Sequence, residues 1–160
     1  MSKETLSHLD KEGRATMVDV SEKIITKRTA TARSIVSLPD EVLTQLVDSD
    51  LQTKKGSVFQ VAIIAGIMAA KKTGDLIPLC HPLGLDNCNI TINLNKDNEV
   101  VIDCTASITA KTGVEMEALV GASIAALTVY DMCKALSHNI IIRETKLIAK
   151  TGGKRDFIRT

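Results

Sequence analysis

The sequence predicts an α+β sandwich, an antiparallel sheet with helices packed on one face. Three observations carry that expectation. Two stretches alternate apolar and polar residues across a short polar turn, two others are apolar nearly all round at helical length, and strand-like and helix-like stretches interleave along one chain of 160 residues. A chain of that length is about one ordinary domain and can bury a sizeable core.

Taken in order, a polar N-terminal arm leads to residues 24–34, "IITKRTATARS", whose β-branched side chains read as a strand. "SLPDEVLTQLVDSD" opens with Ser37, Pro39 and Asp40, a helix start, and repeats apolar residues at 42, 43, 46 and 47. Residues 57–72, "SVFQVAIIAGIMAAKK", are apolar nearly all round and close at Gly74, which predicts a buried helix. "CNITINLN" alternates Ile90, Ile92 and Leu94, and "EVVIDCTASIT" alternates Val100, Ile102, Cys104, Ala106 and Ile108, so "KDN" between them predicts a hairpin turn. Residues 114–136 form the longest helical pattern, rich in alanine, and "IIIRETKLIAK" reads as a last strand. This order is the split βαβ arrangement of a ferredoxin-like sandwich. No linker, repeat or low-complexity tract divides the chain, so residues 1–160 read as one domain, with 1–16 and 155–160 expected to be mobile. The architecture hosts many activities, and function has to be argued from a site.

Composition narrows the choice. Lys plus Arg total 20 against 19 Asp plus Glu, a net charge of +1, which argues against a broad nucleic-acid or membrane-seeking surface while leaving room for a local basic pocket. Aromatic residues make up 2 %, too few for a base-stacking nucleic-acid binder, so the core must be aliphatic. Cysteines at 80, 88, 104 and 133 form no CxxC pair, a poor zinc pattern. "MSKETLSHLDKEG" lacks an apolar signal core, and the run "VAIIAGIMAA" is half a membrane span. A reduced, cytoplasmic chain without a membrane partner is expected.

Five short stretches carry chemistry-bearing residues: "KKG" at 54–56, "LCHP" at 79–82, "KTGVEMEA" at 111–118, "YDMCK" at 130–134 and "AKTGGK" at 149–154. Taken alone, His81 would more often be a surface or satisfied core histidine. Pro78 and Pro82 shift that balance, because each fixes its own φ and restricts the residue before it. A stiff loop presenting an imidazole suits proton transfer or phosphate binding. A metal site of Cys80, His81 and Cys88 is a weaker reading. Glu115 and Glu117 follow a turn at "KTG" and could simply complement a helix dipole. Asp131 and Lys134, three apart on a helix, would ordinarily be a surface ion pair. Their neighbourhood, "ASIAALTVYDMCKAL", is almost wholly apolar, which predicts a desolvated pair with shifted pKa values fit for acid–base work. "TGGK" follows a strand, and its glycines let backbone N–H groups turn towards an anion, but the Walker A spacing is absent. Arg28, Lys55, Lys134, Lys150 and Lys154 together suggest a compact polyphosphate ligand.

"MVDVS" at 17–21, "AGIMAAKKT" with "LIPLCHPL", "KTGVEMEAL", "TVYDMCKAL" and "AKTGGK", in this order, closely resemble the cyclic pyranopterin monophosphate synthase family of molybdenum-cofactor biosynthesis, from about residue 6 to 157. Two departures appear: the family often has extra residues between the "GGK" lysine and the aspartate before Phe157, and often glycine where this chain has Arg143. The resemblance implies a lyase acting on 3′,8-cyclo-7,8-dihydroguanosine 5′-triphosphate with release of pyrophosphate. It also implies a homohexamer of three dimers with active sites between subunits. By motif, Asp131, Lys134, Lys55 and His81 fall on catalytic positions. Leu79, Cys80, His81, Glu115, Met116, Glu117, Lys150, Arg28 and Lys154 fall on substrate-binding stretches. No metal ligand is implied, and Mg²⁺ accompanying the triphosphate is the one cofactor left open. The runner-up reading is a non-catalytic nucleotide-binding regulatory module of the same fold.

Overall fold

The computed structural model describes residues 6–47 and 50–160. Residues 1–5 of the arm, together with Asp48 and Ser49 of the second predicted element, lie outside the described residues. In chain order the elements are β1 (Thr26–Ser37), α1 (Asp40–Leu43), β2 (Leu46–Val47), β3 (Asp50–Thr53), β4 (Gly56–Ser57), α2 (Val58–Ala70), α3 (Thr73–Leu76), β5 (Asn87–Leu94), β6 (Glu99–Ala110), α4 (Glu115–Cys133), β7 (Ile141–Thr151) and β8 (Phe157–Ile158). The main sheet runs β5-β6-β1-β7-β8, antiparallel throughout. The sequence-order strands β1, β5, β6 and β7 thus interleave as the ferredoxin-like sandwich requires, with helices on one face.

Period-2 patterning decides which face is covered. Ala30, Ala32, Ser34 and Val36 of β1 and Val100, Ile102, Cys104, Ala106 and Ile108 of β6 are all buried on the helix side. The buried Ser34 hydroxyl shares a hydrogen bond of 2.7 Å with Thr145. The opposite face is polar: Thr31 and Thr105 hydroxyls meet at 2.8 Å, and Arg33 donates two bonds to Asp103. The "KDN" hairpin forms as expected, with Asn98 in the left-handed region at φ 58° and Asn95 holding the turn by accepting from the Asp97 and Glu99 backbone.

Helices α2 and α4 cross at glycines. A Cβ at Gly66 would sit 2.7 Å from the Gly121 carbonyl oxygen, and one at Gly121 would sit 2.6 Å from the Cys104 sulfur. Small residues therefore let both helices lie close on a thin aliphatic sheet. By length and hydropathy alone α4 could cross a membrane, but half of that stretch is buried within the fold, against the sheet and α2.

Three local expectations need correction. The helix predicted from Pro39 onward lasts a single turn. Its apolar spacing is satisfied at Val42, after which Leu46–Val47 pair with β3 in a small second sheet. Gly74 does not close α2, which ends at Ala70 with Lys71 as its cap; it sits inside α3, where a Cβ would come within 3.0 Å of Pro82. Its missing side chain instead lets the His81–Pro82 loop pack down. Within the 155–160 tail, expected to be mobile, Phe157–Ile158 pair as β8 with Ala149 and Lys150.

Candidate active site

A concave cavity of about 480 Å³ opens where the N-terminal end of α4, the end of β7 and the loop after α3 converge. Each element delivers side chains for a local reason. The loop carries Leu79, Cys80 and His81 between its two prolines, and is drawn tight by the Cys80 N–H donating to the Ile77 carbonyl at 3.1 Å. Helix α4 begins at Glu115 after Val114, which offers no capping side chain, so its leading N–H groups and positive dipole end border the cavity. Strand β7 contributes Lys150, and the Gly152–Gly153 turn brings Lys154 round. Gly152 has φ 83° and its N–H donates to the Asp156 carboxylate at 3.1 Å, so the short "GGKRD" segment closes on itself.

Charge inside the cavity is mixed and arranged. Lys150 Nζ lies 3.0 Å from Glu115 Oε1. Arg28 reaches in from β1 with its guanidinium steered by the Ala110 and Lys111 carbonyls, at 3.4 and 3.2 Å. Glu117 is only 3 % exposed, and burial pushes its carboxyl above the usual carboxylate range. Burial, with the charge of Glu117, pushes the Cys80 thiol up as well. The cavity thus sets cations for an anion beside a buried carboxyl whose pKa is raised. Such a pairing suits phosphate binding coupled to acid–base chemistry.

Nine of the residues singled out in the sequence line this cavity: Arg28, Leu79, Cys80, His81, Glu115, Met116, Glu117, Lys150 and Lys154. Lys55, Asp131 and Lys134 do not. They cluster at the other end of α4, where Lys134 Nζ lies 2.7 Å from Asp131 Oδ1. The expectation of a desolvated pair is wrong, because the two side chains are 54 % and 52 % exposed. Ala125, Ala126, Val129, Met132 and Cys133 are buried against the fold, while Leu127, Asp131, Lys134 and Leu136 fall on the outer side. The hydrogen bond from Lys134 holds the Asp131 carboxyl below its ordinary range, and the charge of Lys55 adds to this. Lys55 is presented by a turn that Asp50 anchors, accepting from the Ser57 hydroxyl and from the Phe59 N–H at 3.0 Å.

Sequence reasoning missed the arm as a wall of the site. Ser7, His8, Val18, Val20 and Lys23 line the cavity, and the Val18 carbonyl lies 2.8 Å from His81 Nε2. The signal was present in "MVDVS", yet nothing local in those residues says what they touch. Thr112 and Gly113 also line the cavity. Cys88 does not join Cys80 and His81 as a ligand set; its sulfur turns to Cys104 at 3.8 Å, and among the described residues no group of three His, Cys, Asp or Glu could hold a metal ion.

Comparison with known proteins bears on this geometry. The family model described as the MoaC family matches residues 17–153. The "Cyclic pyranopterin monophosphate synthase" of Xanthomonas axonopodis pv. citri is 54 % identical over 152 residues, covering 95 % of this chain and 92 % of that protein. "Molybdenum cofactor biosynthesis protein 1" of Dictyostelium discoideum is 52 % identical over 165 residues, 92 % of this chain but 26 % of its own length. The "Molybdenum cofactor biosynthesis bifunctional protein" of a Synechocystis strain is 50 % identical over 158 residues, covering 96 % and 46 %. The chain spans nearly all of the first of these and only a quarter to a half of the other two.

Proposed function

The chain belongs to the MoaC family, and we propose that it is a lyase converting 3′,8-cyclo-7,8-dihydroguanosine 5′-triphosphate to cyclic pyranopterin monophosphate with release of pyrophosphate, an early step of molybdenum cofactor biosynthesis. The observation that carries the reading is the cavity at the start of α4, where Arg28, Lys150 and Lys154 stand beside the buried carboxyl of Glu117. Closing the cyclic phosphate requires a hydroxyl to attack the α-phosphorus while pyrophosphate departs. The cations and the helix N–H groups neutralise the charge that builds on the leaving group. Rearranging the heterocycle requires proton donors and acceptors held in place. Glu117, whose carboxyl burial raises above the usual range, supplies one site for proton exchange and the His81 imidazole another. Asp131, kept ionised by Lys134, is suited to accept a proton.

Asp131 and Lys55 reach that cavity from a second subunit. About 21 Å of helix separates residues 117 and 131 at 1.5 Å per residue, too far for one small ligand to bridge within one chain. An isologous dimer brings the end of one α4 to the start of another. Exposed apolar side chains support assembly into a hexamer of three dimers: Ile64 and Met68 on α2 and Leu127 on α4 are each more than half exposed. Four free cysteines fit a reducing, cytoplasmic compartment.

The test is direct. The protein incubated with the cyclised guanosine triphosphate intermediate should release stoichiometric pyrophosphate and yield the cyclic monophosphate by mass spectrometry. Saturable binding without pyrophosphate release would overturn the enzyme and leave a binding module.

A further inference from the structure

Among the described residues His81 makes one side-chain polar contact, and it restricts the chemistry of the ring. Its Nε2 lies 2.8 Å from the carbonyl oxygen of Val18. A carbonyl oxygen has lone pairs and no proton, so the nitrogen facing it must carry the hydrogen. In the neutral imidazole the other nitrogen, Nδ1, is then the bare acceptor.

The contact is held from both sides. On the loop side, Pro78 and Pro82 stiffen the backbone around His81 and the Cys80 N–H closes a turn on Ile77. On the arm side, Lys111 Nζ donates to the Ser21 carbonyl at 2.7 Å, and the Lys23 N–H donates to the Val20 carbonyl at 3.0 Å. The Asp19 carboxylate takes both the N–H and the hydroxyl of Ser21, at 2.9 and 2.6 Å. The Lys111 carbonyl meanwhile accepts from Arg28, so a single residue ties the arm to a cation of the cavity.

We propose that the Val18 carbonyl is a positioning group that fixes His81 as the Nε2–H tautomer, so that Nδ1 is the atom through which this histidine accepts a hydrogen bond or a proton from the bound substrate. The proposal rests on the reading of the cavity as the substrate site. It gives the "MVDVS" segment a role that its residue types do not reveal: it works through a main-chain oxygen.

The test uses the full chain labelled with ¹⁵N in its three histidines, observed by magic-angle-spinning NMR at about pH 8.5, where an ordinary imidazole is neutral. His81 is assigned by loss of its signal in His81→Asn. The expected spectrum has a protonated Nε2 and a bare Nδ1 for His81. A protonated Nδ1, or an equal mixture of tautomers, overturns the proposal. A second variant, Lys111→Met, loosens the arm without touching the imidazole. It should move His81 towards a tautomer mixture and lower kcat roughly tenfold with less change in KM, as expected for a misplaced group. A folded Lys111→Met protein with unchanged kcat would show that the arm does not position the ring. The tautomer is read without turnover. An Nε2–H ring in a protein that releases no pyrophosphate would therefore count against the enzymatic reading and leave the Val18 contact standing.

Discussion

The two ends of α4 carry ionisable groups of the same kinds in opposite settings. At its start, Glu117 is buried and pushed towards holding its proton, in a concave site with Lys150, Arg28 and the His81 loop. At its end, Asp131 stands exposed beside Lys134 and is held ionised. A lone exposed ion pair contributes little to stability, and an acid–base pair left in bulk water has little control over its protons. The difference teaches that a single chain presents a cavity lined by cations and carboxyls and, on another surface, an exposed ion pair outside that cavity. The proposed pairing of subunits would bring the two together.

The most severe way to break that comparison is to inactivate each end separately. Asp131→Asn and Glu117→Gln should each lower turnover by about 100-fold or more, the scale of a lost general acid or base. Asp131→Asn should leave the fold of each subunit intact, since within its own chain the group makes only an exposed ion pair. Mixed and reassembled at equal amounts, the two inactive proteins should regain about a quarter of wild-type activity. That figure is what random pairing in a two-fold dimer gives when one site per mixed dimer is intact. No recovery, with mixed oligomers seen by native mass spectrometry, would mean each subunit carries its own full set.

A smaller effect sharpens which end holds the phosphates. Lys150→Ala and Lys55→Ala should chiefly raise KM, by roughly tenfold each, the scale of a charge-assisted contact. Affinity of the wild-type protein should fall with added salt. Affinity that calorimetry finds independent of salt would count against lysines as the phosphate ligands. The smallest effect is on stability and belongs to Glu117. Its folded pKa is raised above the ordinary 4.5, so the unfolded chain gives up that proton at lower pH than the folded one. Stability from this group is therefore full below about pH 4.5 and is lost as pH rises through the folded value. The midpoint of Glu117→Gln should gain on that of the wild type as pH climbs through that window. A difference that stays flat with pH would show that Glu117 titrates normally.

Much of this was legible in residue order, though unevenly. The long α4 pattern and the β5–β6 hairpin were plain because each sustains one period over many residues, and one face of each is covered. The stretch after Pro39 misled because apolar residues at 42, 43, 46 and 47 suit a helix, while pairing of Leu46–Val47 with β3 is a non-local choice. Asp131 misled for a related reason. Apolar neighbours in sequence surround a helix on all sides, whereas burial depends on which side meets α2 and the sheet.

The sequence alone determined the types of the long elements, the aliphatic core, the stiff loop around His81 and which residue types could do acid–base and phosphate chemistry. These follow from short-range sterics, periodicity and side-chain chemistry, which travel with the letters. Only the tertiary structure decided that nine of those residues share one cavity while three do not. It also decided that Glu117 is buried and Asp131 is not, and that a backbone carbonyl of the N-terminal arm meets the imidazole of His81. Burial and main-chain contacts between residues 63 positions apart depend on how the elements pack, and no local pattern encodes them.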